Sequence, residues 1–424
     1  MNWKLVLAIL TCNILFMSSS YTMLIPFLPM YLPMELGVSE ADVNIWSGIV
    51  FSASFLVSAI MAPIWGRMAD TKGKRIMAMR ASFLLSISYF LGGIVETPEQ
   101  LTLMRLFQGF ASGLWPMDLA IMTLYAPPKK LGFCLGVMQG TLTAGGVVGP
   151  LLGGVLAEAV GMRYSFFLAA AALFTNFLIF TFIIKEPPVA EKAASTEDAA
   201  GGGVSPWRMP LLRNMLLCGT LVQMVILILQ PVLTTYVAKL AGPMPNIVFV
   251  AGLVFSLGGI AGAMAAPFWG TFGQRRGFFR AMCLGMAGAG LSMIIQGIPD
   301  TLLPFAVMQF VGGLFFCGIH PSINAVLASN TPPSYKGRIF GMLFAAQQVG
   351  SMAGPLLGGL IATYLGIHCV FAFSGLLLLC LSSAIWHRYR GQRGCRARTI
   401  FCDFAEAAGL CAARAEITCD LRVT

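Results

Sequence analysis

The hexapeptide GPLLGG occupies residues 149–154, and the same six letters return at residues 354–359, 205 positions later in a chain of 424. The similarity continues outward, since GPLLGGVLAEAVG at 149–161 aligns with GPLLGGLIATYLG at 354–366. A second pair, APIWGRMADTKGKR at 62–75 and APFWGTFGQRRGFFR at 266–280, aligns at an offset of 204. The chain therefore contains two related halves, and we interpret them as copies of one ancestral unit.

The composition indicates a membrane protein. Hydrophobic residues make up 57% of the chain, charged residues only 10%, and the mean hydropathy is +0.81. Soluble domains carry about 25% charged residues, because a folded chain needs a polar exterior in water. Residues 1–21 have the character of a signal peptide, but apolar runs continue beyond them, so we interpret this stretch as the first spanning helix.

Twelve apolar segments are long enough to cross a bilayer. They are residues 5–32, 43–65, 76–95, 100–126, 132–160, 163–184, 211–238, 246–269, 278–297, 301–328, 338–364 and 366–387. With the N-terminus in the cytoplasm, all 27 Lys and Arg except Arg105, Arg163 and Lys239 fall on the cytoplasmic side. The net charge of +10 then reflects topology. We therefore expect cytoplasmic termini and no nucleic-acid partner.

Four regions follow from this topology. Residues 1–184 form an N-terminal six-helix bundle, and residues 211–390 form a C-terminal one. Residues 185–210 are rich in Ala, Gly, Pro and charge, which is typical of a flexible cytoplasmic linker. Residues 391–424 form an atypical cytoplasmic tail without a span-length apolar run, and we assign it no role in transport.

The loop GRMADTKGKR at 66–75 resembles the signature loop of the major facilitator superfamily, with Met68 in place of the usual Leu. The resemblance implies a conformational latch that is closed when the pore faces outward, formed by Gly66, Asp70, Gly73, Lys74 and Arg75. The second copy has Gln274 in place of Asp70, so its latch is weaker. An ordinary positive-inside loop would explain the Lys and Arg, but not the acid or the paired glycines.

The repeated GPLLGG resembles the antiporter motif of the same superfamily. Small residues at every fourth position let helices approach closely, and a central proline bends the helix. We expect a pivot in each half, formed by Gly145, Gly149, Pro150, Gly153, Gly154, Gly354, Pro355 and Gly358. The alternative is ordinary small-residue packing without a hinge.

Three ionisable residues are candidates for proton coupling. RLFQGFASG at 105–113 resembles the superfamily's fourth-span motif, which implicates Arg105, although a snorkelling arginine is the alternative. Asp118 is the acid that we place inside a span, where a carboxyl group can exchange a proton; the alternative is a structural partner for Lys74, Arg75 or Lys130. For His320, satisfied packing is favoured over a relay.

Polar residues in the second half suggest a substrate cavity. Gln223 and Gln230 lie seven positions apart and share a helical face, and Asn324 and Gln347 are expected to join them. The chain also has 25 Met and 31 Phe, side chains that suit varied lipophilic ligands but that equally fill lipid-facing and core surfaces.

Residues 1–388 are similar to the MdtG-type drug efflux proteins of bacteria. The stretch at 36–60 and the loop that follows it carry the similarity. The resemblance implies an all-α membrane protein with the major facilitator fold, twelve transmembrane helices in two six-helix pseudo-symmetric halves, in the inner (plasma) membrane. It implies proton-coupled antiport of lipophilic drugs. An exporter of one metabolite, such as a sugar or amino acid, and a nontransporting membrane sensor are the alternatives.

The sequence lacks the common catalytic and metal-binding motifs. We find no Walker loop, GxSxG, HExxH or Cys/His zinc spacing, so we expect neither an enzyme nor a metal or cofactor. The expected partners are small lipophilic substrates, protons and membrane lipid, and the expected state is a monomer.

Overall fold

The computed structural model describes residues 2–127, 130–185, 210–242, 246–331 and 336–389, and these ranges contain helices and no strand. The predicted linker, except its first and last residues, and the predicted tail from residue 391 lie outside the described residues. The helices are α1 Trp3–Leu36, α2 Val43–Lys72, α3 Lys74–Ile94, α4 Pro98–Ala111, α5 Leu114–Tyr125, α6 Leu131–Ala159, α7 Met162–Phe182, α8 Pro210–Ile228, α9 Gln230–Ala241, α10 Ile247–Arg276, α11 Phe278–Gln296, α12 Leu302–Phe316, α13 Ile319–Ser329, α14 Lys336–Tyr364 and α15 Ile367–Tyr389.

These helices form twelve membrane-crossing segments, because α4–α5, α8–α9 and α12–α13 each make one segment from two helices. The sequence predicts twelve spans, and the structure adds that three of them are interrupted. The break before α5 has a local cause: Gly113 has φ 112°, a left-handed conformation that ends the preceding helix near Ser112.

Ten of the segments are long and apolar enough to cross a membrane by themselves. The remaining two are α4–α5, whose separate helices are short, and α14, whose hydropathy is lowered by Gln347, Gln348 and several glycines.

The two halves are built with the same contacts. The indole nitrogen of Trp65 donates to the carbonyl of Phe110 at 2.9 Å. At an offset of 204, Trp269 donates to the carbonyl of Leu314 at 2.6 Å. The duplicated sequence therefore produces a duplicated helix arrangement, with six segments in each half.

Glycines set the closest helix approaches within each half. A Cβ added at Gly153 of α6 would overlap with the carbonyl oxygen of Met23 in α1. A Cβ added at Gly358 of α14 would overlap with the carbonyl oxygen of Ile228 in α8, which is the corresponding contact 205 positions later. Backbones therefore touch directly at these positions, and no larger residue fits without moving a helix.

The halves meet near one end of the bundle. We call the end at which α1 begins the proximal end, and the end at which α1 finishes, at Leu36, the distal end. Close glycine contacts join α6 to α10 and α2 to α14 in the distal part. They pair Gly154 with Phe249, Gly252 with Pro150, Gly48 with Pro355 and Gly359 with Asn44.

The described hydrogen bonds between the halves also lie in the distal part and near mid-bundle. Glu158 accepts from the backbone N–H of Phe249 at 2.9 Å, and Ser256 donates to the carbonyl of Val147 at 2.7 Å. Thr235 bonds the side chain of Asn44 at 3.2 Å. The most proximal of these described bonds is from Gln348 to Ser58, at 3.2 Å.

Proximal to that bond, the same helices present glycines to open space. A Cβ added at Gly66, Gly136, Gly140, Gly270 or Gly341 would meet no atom within 4 Å. The described glycine contacts and hydrogen bonds between the halves thus end near mid-bundle, and we infer that the space between the halves opens toward the proximal end.

The glycine seam predicts a matched pair of mutational effects on α6. Gly153→Ala forces a methyl group against a backbone oxygen of α1, and overpacking of this kind costs about 1–3 kcal/mol. Gly140→Ala has space for its methyl group and gains about 0.5–1 kcal/mol from helix propensity. We expect a lower thermal unfolding midpoint for the first variant and an equal or higher midpoint for the second. Equal midpoints for Gly153→Ala and the unchanged protein would contradict the seam.

Candidate functional site

Arg105 lies inside the N-terminal half. Its side chain is 2% exposed, and it donates from Nη1 to the side-chain oxygen of Gln108 at 2.7 Å. The guanidinium carbon lies 5.5 Å from the ring centroid of Phe51. Snorkelling does not describe this arginine, because its charged end is turned toward protein and away from the membrane surface.

Two tyrosines, Tyr21 of α1 and Tyr89 of α3, lie in the neighbourhood of the same guanidinium. Tyr89 is buried, whereas Tyr21 is 36% exposed. The Nε and Nη2 atoms of Arg105 have no hydrogen-bond partner among the described residues. The arrangement therefore leaves donors of a buried cation for water or for an acceptor group on a ligand.

Asp118 lies in the first half of α5 and is fully buried. Neither carboxyl oxygen has a hydrogen-bond partner in the part of the chain that the structure describes. The alternative role, a structural ion pair with Lys74, Arg75 or Lys130, is not seen there, and Arg75 donates to the carbonyls of Phe180 and Thr181. A buried carboxyl group without partners is costly when charged, so its charge depends on the surrounding conformation.

The break between α4 and α5 separates Arg105 from Asp118. Arg80 of α3 donates to the carbonyl of Ser112 at the break, at 2.7 Å, and its guanidinium stacks 3.7 Å from the ring centroid of Trp65. Arg80 thus satisfies a backbone carbonyl that the helix interruption exposes. The two predicted proton-coupling residues lie on separate helices and are not paired.

The corresponding positions of the second half carry different chemistry. At an offset of 204, Gln309 aligns with Arg105, and it accepts from Gln296 at 2.6 Å. Ser322 aligns with Asp118, and its hydroxyl donates to the carbonyl of Gly318 at 2.6 Å. The halves therefore share their scaffold, while the buried charges belong to the N-terminal half at these positions.

His320 and Gln347 are brought together in the C-terminal half. The side-chain nitrogen of Gln347 lies 3.1 Å from Nδ1 of His320, and Nε2 of His320 is buried without a described partner. The pair joins α13 to α14 near the middle of the bundle. A buried imidazole nitrogen of this kind can accept or donate a hydrogen bond, depending on its tautomer.

The other predicted cavity residues are dispersed. Gln223 is partly exposed on α8, while Gln230 begins α9 and is buried, with its Oε1 unpartnered among the described residues. The break at Leu229 lies between the two residues, so the helix expected to carry both is interrupted there. Asn324 is exposed on α13.

The predicted latch loop lies at the proximal end between α2 and α3. Gly73 has φ 95°, and Gly277 in the second copy has φ 97°, so both loops require glycine at the turn. Gly66 faces open space, and Lys74 begins α3. The side chain of Asp70 lies outside the described residues.

The predicted pivot residues lie on two faces of α6 and α14. Gly145, Gly149 and Gly153 face α1, whereas Pro150 and Gly154 face α10 of the opposite half. In α14, Gly354 and Gly358 face α8, whereas Pro355 faces α2 of the opposite half. Each of these helices thus contacts its own half on one face and the other half on another.

Several residues that form contacts at the site and between the halves are missing from the sequence-based prediction. Gln108 is the hydrogen-bond partner of Arg105, and a signal was present, since it lies three positions later on the same helix. Glu158 caps α10 from the opposite half, and Arg80 stacks on Trp65. These two contacts join residues far apart in the sequence, and no local pattern indicates them.

Comparison with known proteins places the chain in a family of transporters. The family model described as Major Facilitator Superfamily matches residues 10–295 and 246–394. The chain is 30% identical over 392 residues to the multidrug resistance protein MdtG of Proteus mirabilis, covering 92% of this chain and 97% of that protein. It is 32% identical over 373 residues to an uncharacterized MFS-type transporter, YuxJ, of Bacillus subtilis, covering 88% and 95%.

A solved structure shows the same fold. The inward-facing, occupied structure of a bacterial homolog of the human lysosomal transporter Spinster superposes with a TM-score of 0.76 at 16% identity, covering 91% of this chain and 97% of that one. Duplicated six-segment halves, shared glycine seams and these similarities lead to one conclusion: the chain belongs to the Major Facilitator Superfamily of membrane transporters.

Proposed function

We propose that this transporter exports diverse lipophilic compounds across the inner membrane in exchange for protons, by alternating access. The observation that carries the proposal is the combination of a space that opens at one end and a buried carboxyl group without described partners, Asp118, in the N-terminal half. Relatives named multidrug resistance proteins support the substrate class.

The distribution of Lys and Arg assigns the two ends to the two sides of the membrane. Arg67, Lys72 and Lys130 lie at the proximal end, as do Arg275 and Arg276. Cytoplasmic loops collect such residues, so the proximal end faces the cytoplasm in this proposal. The cavity is then open to the cytoplasm, which is the side from which an exporter takes up its cargo.

The two halves, residues 1–184 and 211–390, rock against each other about the seams of α6 with α10 and α2 with α14. When the proximal ends approach, the latch residues of 66–75 come close to the opposite half. The distal contacts, including the one from Glu158 to Phe249, are then broken. The compound leaves on the distal side, and a proton enters there.

Asp118 carries the proton in this cycle, and the surroundings of Arg105 change in the same rearrangement. Both are buried and incompletely paired here, so a movement of α4 and α5 changes the free energy of their charges. Such coupling requires that the proton and the compound favour opposite conformations of the halves.

The substrate class is tested by reconstitution. Protein in proteoliposomes, with an imposed proton gradient, should extrude several lipophilic dyes of unrelated structure. Sugars and amino acids of similar size should not be extruded, because the relatives that support the substrate class are named for multidrug resistance. Extrusion of one metabolite class only would contradict the proposal. Failure to move any compound, without substrate-driven proton flux, would favour a sensor.

Asp118→Asn should uncouple the transporter. The amide keeps the size of the side chain but cannot bind and release a proton, so dye-driven proton flux should fall by at least about tenfold. Dye movement down its own gradient should persist, and this distinguishes uncoupling from misfolding. Glu99→Gln, an exposed acid at the start of α4, is the matched control and should leave coupling unchanged. Unchanged proton flux in Asp118→Asn would remove this residue from the mechanism.

A cross-link at the proximal end should arrest export. The pairs Gly154–Phe249, Gly252–Pro150 and Ser256–Val147 run antiparallel along α6 and α10. Continuing this register brings Gln139 opposite Met264 when the proximal ends close, whereas both are exposed in this conformation. A disulfide needs Cα atoms within about 7 Å, so its formation reports closure.

The experiment uses Gln139→Cys with Met264→Cys after replacement of the native cysteines. Oxidation during turnover should form the disulfide and halt export, and reduction should restore it. Each single-cysteine variant serves as a control and should be unaffected by oxidation. Export at full rate in the cross-linked protein would rule out rocking at this seam.

A further inference from the structure

The C-terminal half has an apolar groove on its outer surface that the transport cycle does not use. Its volume is about 490 Å³. It is lined by Phe268, Trp269, Phe272, Leu284, Ala287, Gly288, Leu291, Phe315 and Leu379. We call this set the aromatic groove. Phe268, Leu284 and Leu291 are 60%, 49% and 56% exposed, so the groove is open to the surroundings of the bundle rather than enclosed by it.

Rings form one wall of the aromatic groove. Trp269 lies 5.6 Å from Phe268, 5.9 Å from Phe272 and 6.3 Å from Phe315, measured between ring centroids. The indole nitrogen of Trp269 is already bonded to the carbonyl of Leu314, so the indole leaves no N–H donor free within the groove. The wall is therefore suited to hydrocarbon and offers little to a polar ligand.

The first half of the chain has different side chains at the corresponding positions, two of them much larger. At an offset of 204, Arg80 aligns with Leu284, Phe83 with Ala287, and Leu84 with Gly288. The offset is supported at both ends of α11 by Gly277 with Gly73 and by the matching contacts of Gly93 with Phe167 and Gly297 with Phe371.

In the N-terminal half, the Arg80 guanidinium covers the ring of Trp65 at 3.7 Å. In the C-terminal half the ring of Trp269 has no such cover from α11, because Leu284 is uncharged and Ala287 and Gly288 are small. The α11 side of the aromatic groove therefore carries smaller side chains than the equivalent positions of the first half, and the ring of Phe315 packs over Gly288.

Positive charge lies at the proximal mouth of the groove. The guanidinium of Arg276 lies 5.8 Å from the ring centroid of Phe272, which lines the groove. Arg275 and Arg276 are both exposed, and Arg276 forms no ion pair with the described residues. An occupant that combines a hydrocarbon chain with an anionic head matches both the apolar wall and this charge.

We propose that the aromatic groove binds one anionic membrane phospholipid, with an acyl chain against Trp269 and Phe315 and the phosphate headgroup at Arg276. The aromatic wall beside Ala287 and Gly288, with Arg276 at its proximal end, separates this from the general contact that every lipid-facing surface makes. The bound lipid contacts α10, a helix that also forms the seam with α6, so its occupancy bears on the stability of the conformation described here.

The test measures the thermal unfolding midpoint of detergent-solubilised protein during titration with phosphatidylglycerol or with phosphatidylcholine. The unchanged protein should be stabilised by phosphatidylglycerol at lower concentration than by phosphatidylcholine. Ala287→Phe, which restores the residue of the first half, should remove most of the stabilisation by either lipid. Arg276→Gln should weaken phosphatidylglycerol binding by about fivefold and abolish the preference between the lipids.

Two controls match these variants. Ala171→Phe adds the same ring on an exposed position of α7, and Lys130→Gln removes a charge from the same end of the other half. Both should keep the lipid response of the unchanged protein. If Ala287→Phe folds poorly without lipid, Leu284→Phe fills the groove from a half-exposed position and replaces it.

Equal lipid responses in the unchanged protein and the groove-filled variants would overturn the proposal, as would an equal response to both lipids in the unchanged protein. A fluorescent lipophilic dye is titrated in parallel. Loss of dye binding in Ala287→Phe, with an intact lipid response, would show that the groove takes a small lipophilic compound and would also overturn the proposal. Loss of the lipid response with intact dye binding supports it.

Discussion

Direct backbone contact at glycines is the constraint on which the rest of this structure depends. Membrane helices gain little from the hydrophobic effect when they associate, so close packing and interhelical hydrogen bonds must hold them together. In α6, Gly153 packs against the backbone of α1 while Gly154 packs against the backbone of α10. In α14, Gly358 and Gly359 do the same with α8 and α2. Neighbouring glycines thus tie each helix to its own half and to the opposite half.

A shared scaffold with unequal chemistry follows from the duplication. The structural contacts recur at a constant offset, as Trp65 and Trp269 illustrate with their bonds to equivalent carbonyls. The buried charges do not recur, because Gln309 and Ser322 stand where the first half has Arg105 and Asp118. In the proposed mechanism, scaffold contacts are needed twice to make two rocking bodies, whereas one proton site is enough. A second unpartnered buried charge would only add cost.

The sequence predicts the scaffold well because duplication, hydropathy and glycine spacing are local and repeated signals. It does not indicate the helix breaks, since an apolar run looks the same whether or not Gly113 adopts a left-handed conformation. The sequence also does not indicate contacts between helices. Arg80, near the end of a span, counts as a positive-inside residue, yet it stacks on Trp65 and donates to the carbonyl of Ser112. The partners of Arg105 and the absence of described partners for Asp118 depend on which helices meet, and one helix sequence does not specify that.

The distal contact between the halves is built to be reversible. It rests on a few glycine approaches and on isolated hydrogen bonds, such as the one from the Phe249 N–H to Glu158. An exposed carboxylate at a helix N-terminus typically stabilises the folded structure by about 0.3–1 kcal/mol. Glu158 is exposed, so water replaces its bond at little cost when the distal end opens. By contrast, the seams of α6 with α1 and of α14 with α8 join backbones within one half and need not separate. In the proposed mechanism, two rigid bodies exchange one closed end for the other because the contacts inside each half persist while those between the halves re-form, and a difference of a few kcal/mol already sets which arrangement is populated.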